Sequence, residues 1–88
     1  MSEADHVWRV TAAEREHEVE IDHSAMTGKI LVSVDGEQVG DGRLWFSKKE
    51  IDFTVGGLPA RIEVEYAYSG LAVQSSLHVD GRYVEPLR

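Results

Sequence analysis

One displacement organises this chain. Shifted along itself by 45 positions, it matches itself without a gap. Trp8 falls on Phe53 and Val10 on Val55. Glu18-Val19-Glu20 falls on Glu63-Val64-Glu65, Ser24 on Ser69, Val34-Asp35-Gly36 on Val79-Asp80-Gly81, and Val39 on Val84. Alternation alone would bring valine onto valine. It would not bring two Asp-Gly dipeptides into register with a matched Glu-Val-Glu. The chain therefore reads as a repeat, with pseudo-repeats over about 7–44 and 52–88. Each half would supply four strands with one apolar face, which it cannot bury alone; two such faces stacked together bury each other.

The strands themselves are written in a period of two. In His17–His23, Val19 and Ile21 face one way and Glu18, Glu20 and Asp22 the other, which is the pattern of a half-buried strand. Ile30, Val32 and Val34 alternate next, then Ile51, Phe53 and Val55, then Ile62, Val64, Tyr66 and Tyr68, and finally Val73, Leu77 and Val79, which share a face with Ser75. Asp35-Gly36 and Asp80-Gly81 suit the positive φ angles of tight hairpin turns. The stretch 11–18 has helix-friendly residues but is short and carries no apolar stripe, so Ala13–Glu16 reads as a turn. Gly56-Gly57 marks a break, with Pro59 starting the next strand, and Gly40 and Gly42 suggest a bulge or an irregular turn. The expected fold is all-β: an antiparallel two-sheet β-sandwich of about eight strands, one domain over residues 1–88.

Composition narrows the function classes. There are no cysteines, which removes thiolate nucleophiles, disulfides and cysteine-bound metals, and fits a reducing cytoplasm. No apolar run is long enough to span a bilayer, and the acidic start Met1-Ser2-Glu3-Ala4-Asp5 does not read as a secretory signal. Sixteen acids against nine scattered bases leave a net charge of −7, with Lys48-Lys49 the only adjacent basic pair. Such a surface repels phosphate backbones, so no nucleic-acid partner is expected, and no membrane partner either.

The order of short motifs resembles the Fas apoptotic inhibitory molecule family. The residues concerned are Val7-Trp8-x-Val10, His17-x-Val19-Glu20-x-x-His23, Gly28-Lys29 leading into Val34-Asp35-Gly36, Phe53-x-Val55-Gly56, Ser69-Gly70 and the closing Val79-Asp80-Gly81. The resemblance spans about Val7 to Val84. It implies a compact antiparallel β-sandwich and no catalytic residues. Animal members carry two such domains in tandem, are cytosolic, and are linked to protection from death-receptor signalling and to countering protein aggregation. This chain departs from those members in having one domain and an acidic balance, and a single-domain form is more typical of microbial relatives.

Candidate sites are few. His17 and His23 share the inward face of their strand, but six positions at ~3.3 Å each put them ~20 Å apart, too far for one ion. The 45-residue shift places Ile62 and Tyr68 at the matching positions, which points to packing. Glu18, Glu20 and Asp22, echoed by Glu63 and Glu65, form a solvated stripe whose carboxylates diverge. Met26-Thr27-Gly28-Lys29 lacks the glycine and the hydroxyl of a phosphate loop, and no Gly-x-Ser-x-Gly elbow occurs. Trp8 reads as core. Trp45 and Phe46 are adjacent and point to opposite faces of a regular strand, so they form the candidate interaction surface.

The expected function is a non-enzymatic protein-interaction domain, without cofactor or metal, whose partner is an unidentified protein. A weak homodimer through Trp45-Phe46 is also expected, tightening as salt screens the charge. The alternative is a small-ligand or carbohydrate-binding sandwich with Trp45, Tyr66, Tyr68 or Tyr83 as stacking platform. Two aromatics exposed side by side near amide and acidic groups would favour a sugar. A single exposed aromatic beside an unpaired strand edge would favour a protein.

Overall fold

The computed structural model describes residues 6–24, 27–43, 48–67 and 72–87. Eight strands run in chain order: β1 (His6–Ala12), β2 (Arg15–His23), β3 (Lys29–Val34), β4 (Glu37–Arg43), β5 (Lys48–Val55), β6 (Leu58–Ala67), β7 (Ala72–Val79) and β8 (Arg82–Val84). They form two antiparallel four-stranded meanders, β1-β2-β3-β4 and β5-β6-β7-β8. Both halves thus have one topology. No helix long and apolar enough to cross a membrane occurs among the described residues.

The alternating apolar residues of both sheets meet in one core. Trp8, Val19, Ile21, Ile30 and Val32 from the first sheet and Val55, Ile62, Val64 and Leu77 from the second are fully buried, with Val34 and Val84 at the margin. Each such aliphatic side chain contributes about 1.5–3 kcal/mol by leaving water.

The hairpin turns carry the left-handed residues that tight two-residue turns demand. Asp35-Gly36 has φ of 52° and 84°, Asp80-Gly81 52° and 78°, and Gly56-Gly57 56° and 83°. The first hairpin departs from expectation. Its turn is only Ala13-Glu14, at φ 53° and 64° without glycine, and Arg15 and Glu16 already belong to β2. The glycine pair in β4 does accompany a bulge: Val32 faces Gly40 and Ser33 faces Gln38, which leaves Val39 unpaired between them. Gly40 lets β5 close over β4, since a Cβ there would lie 2.9 Å from Ile51 Cγ2.

The ungapped repeat needs one correction. Val19 lies between Trp8 and Val34, whereas the residue between Phe53 and Val79 is Ala60, not Val64. Strands β1 and β3, and β4 as far as its bulge, map onto β5, β7 and β8 by the 45-residue shift, but past the bulge Gly40 rather than Val39 takes the place of Val84, and β2 maps onto β6 by 41. The second half turns two residues earlier on the shifted scale, at 56–57, and recovers the length in the β6–β7 hairpin, which pairs as far as Ala67 with Ala72. Gain and loss cancel, so the sequence shows no gap.

Candidate functional site

His17 and Asp35 meet where the two sheets touch. Asp35 opens the β3–β4 turn, and its N–H donates to the Glu18 carbonyl at 2.8 Å. Its carboxylate accepts the Glu18 N–H at 2.9 Å and His17 Nδ1–H at 2.7 Å. The Glu18 amide first, and the His17 ring second, hold the Asp35 carboxyl below the usual aspartate range. The His17 side chain is 11% exposed. Its Nε2 is buried without a partner, and lies 3.1 Å from where a Cβ on Gly56 would sit. Three residues of separate motifs, His17, Asp35 and Gly56, thereby join β2 to the β5–β6 turn of the opposite sheet.

This pair has the atoms of a proton relay but not its setting. A general base must reach a substrate proton, and Nε2 is enclosed beside Gly56 and Ala12. The second half repeats the backbone part alone: the Asp80 N–H donates to the Pro59 carbonyl at 2.7 Å. By strand pairing, Leu58 occupies the place of His17 and Val64 that of His23, rather than Ile62 and Tyr68. An aliphatic residue fills the position equally well, which marks His17 as a packing group with one anchored nitrogen. Sequence spacing did not suggest the His17–Asp35 contact. The signal was the Asp-Gly turn, which fixes the β2–β3–β4 register and with it the reach from β2 to residue 35.

The outer face of the second sheet is polar and carries one exposed aromatic. Arg61 on β6 bridges Asp52 at 2.7 Å and Glu50 at 3.1 Å on β5, and these two acids hold its guanidinium more firmly protonated. Lys48 reaches Glu63 at 3.6 Å. Tyr83 on β8 is 58% exposed and meets the His78 ring edge-to-face at 5.7 Å. Two shallow depressions flank this ring pair. One of about 360 Å³ runs from Tyr83 past Gln74, Ser75 and Glu65 to His6. The other, about 380 Å³, lies between His78, Arg61 and Asp52. No three His, Asp or Glu residues among those described converge as ligands for one metal ion.

Trp8 is core, at 0% exposure. Trp45 and Phe46, and with them Tyr68, Ser69 and Gly70, lie outside the described residues. Of the aromatic side chains described, Trp8 and Phe53 are buried and Tyr83 is exposed. Tyr83 stands on β8, at the edge of its sheet. A family model described as Fas apoptotic inhibitory molecule (FAIM1) matches residues 5–87, nearly the whole chain. No curated protein matches it.

Proposed function

The chain belongs to the Fas apoptotic inhibitory molecule family, and from that footing we propose that it is a non-enzymatic, cytoplasmic protein-interaction domain that counters aggregation of its partners. One observation carries the choice between a protein and a sugar. Tyr83 is exposed on an edge strand, without a second exposed aromatic among the described side chains. A sugar platform wants flat aromatic area, whereas an edge strand with an aromatic anchor suits an extended polypeptide. The buried His17 Nε2, closed off from any substrate, supports the non-enzymatic part of the reading. The lack of cysteine supports the compartment.

Reduced insulin provides the test, because its chains aggregate once their disulfides are cut and this chain has none to lose. Light scattering after addition of reductant should rise later when the protein is present in equimolar amount. The Tyr83→Ser variant should protect less while keeping its melting temperature. Protection no better than that from an equal mass of an inert acidic protein refutes the reading.

A further inference from the structure

Strand β7 is left with an unpaired stretch, and the hydrogen bonds around it show which groups are offered. The Asp80 N–H turns towards Pro59 on β6. Backbone groups alternate along a strand, and the β6–β7 register runs without a bulge. The N–H and C=O of Val79, Leu77 and Ser75 therefore turn the other way, towards β8. Val79 meets Arg82 and Leu77 meets Val84, but the pairing ends there. The next residue in register, opposite Ser75, is residue 86, and Pro86 has no N–H to give. The chain leaves the sheet at this point, and the Leu87 N–H donates instead to the Val7 carbonyl on β1 at 2.7 Å.

What remains is a notch, the depression of about 360 Å³ beside β7. Its floor offers the Ser75 N–H and C=O, with no strand paired to them on that side among the described residues. The Ser75 hydroxyl is buried there without a partner. Tyr83 closes one end, and Glu63 and Glu65 line the notch with negative charge. Lys48 offsets Glu63, while Glu65 is exposed and has no ion pair among the described residues.

We propose that this notch takes a short extended segment of a basic partner protein by strand addition. The segment pairs its backbone with Ser75 in the place Pro86 vacates, lays a Lys or Arg over Glu65 and Glu63, and rests the stem of that side chain against Tyr83. Charge decides the occupant. The whole chain carries −7, so a second copy would set glutamates against glutamates, whereas a cationic strand brings opposite charge to Glu63 and Glu65. The proposal rests on the protein-interaction reading and gives it a place and a partner chemistry.

The probe is a capped, fluorescently labelled hexapeptide of alternating Lys and Val, followed by anisotropy at low and physiological salt. It should bind saturably, and more weakly as salt rises. Glu65→Gln should weaken it about two- to fivefold. Methylation of the peptide nitrogen that faces Ser75 should weaken it at least about fivefold, since a backbone bond and its close approach are both lost. Ser75→Pro removes the N–H in the notch without touching a bond to β6; the peptide modification asks the same question should that variant fail to fold. Absence of saturable binding overturns the proposal, as does binding indifferent to both methylation and Glu65→Gln. A dimer that the peptide displaces also overturns it, because the occupant is then a second copy. If insulin is still protected when the peptide does not bind, the notch fails alone and the interaction reading stands. If insulin is not protected either, that reading fails with it.

Discussion

The β5–β6 turn separates two effects that usually act together, backbone strain and packing. Gly56 and Gly57 both have positive φ, at 56° and 83°. An L-residue in the left-handed region costs about 1–2 kcal/mol, and the stiffer unfolded chain of an alanine variant returns about 0.4–1 kcal/mol. The backbone term is thus about 1 kcal/mol at either site. It is the smaller at Gly56, whose φ sits at the centre of the left-handed well, near about +57°. Packing ranks them the other way. A Cβ on Gly57 meets nothing within 4 Å, whereas one on Gly56 would lie 2.7 Å from Ala12 Cβ, 3.1 Å from His17 Nε2 and 3.3 Å from the Ala12 carbonyl carbon. The first of these is about 1 Å inside the ~3.5–4.0 Å carbon–carbon optimum, and it presses on backbone and core. Overpacking of this kind costs about 1–3 kcal/mol. Gly56→Ala should therefore lose about 2–4 kcal/mol and Gly57→Ala about 1 kcal/mol. For a domain this small, 1 kcal/mol moves the melting temperature by about 4–8 °C, so the two variants should separate clearly. Urea titration followed by tryptophan emission reads the difference, because Trp8 is fully buried. If Gly57→Ala is the more damaging, or the two are equal, the contact between the sheets at His17 and Ala12 does not have the tightness described.

Three further outcomes follow from the same structure. Asp35 is a stronger acid folded than unfolded, so its contribution is complete above about pH 4 and is lost as pH falls through its lower folded value. The gap in urea midpoint between wild type and Asp35→Asn, which keeps the left-handed backbone comfortable, should therefore be widest near neutrality and should narrow in acid. A gap constant down to about pH 2 contradicts the assignment. Gly40→Ala should cost about 1–3 kcal/mol through Ile51 Cγ2. Ile51→Leu, which lacks that branch, should recover part of the loss, and a double-mutant cycle with coupling under about 0.3 kcal/mol would contradict it. Ile62→Ala, at a fully buried site in the middle of the second sheet, should cost about 2–5 kcal/mol in the same titration; a cost under about 1 kcal/mol would place Ile62 outside the shared core.

Most of the architecture was legible because two strong local codes agree. Alternation over 17–23, 30–34, 51–55 and 62–66 sets which side chains face inward, and the Asp-Gly pairs set where two hairpins close. The Ala13-Glu14 turn was harder to bound, because neither residue announces a positive φ. The β2–β6 equivalence was misread because the trade of four residues leaves the alternation in phase, so Glu-Val-Glu still lands on Glu-Val-Glu. The site was less legible. Tyr83 was one aromatic among several until β8 proved to be an edge strand, and Trp45 and Phe46, which looked the stronger pair, lie outside the described residues. The notch at Ser75 depends on where β8 stops. That follows from Pro86 only once the register of β7 and β8 is known.

The four-residue trade between the hairpins is a statement about parity. A strand alters its reach in pairs without turning its apolar side chains into water, because each pair restores the original facing. A single inserted residue in β6 would have exposed Ile62 and Val64 and drawn Glu63 and Glu65 inwards. The two halves are therefore free to drift in length by even steps and closed to odd ones, except where a bulge such as that at Val39 absorbs the remainder. Repeats of this architecture can accordingly diverge in hairpin length while their cores stay interchangeable. An alignment that places gaps by residue identity alone will hide such drift whenever the changes sum to zero.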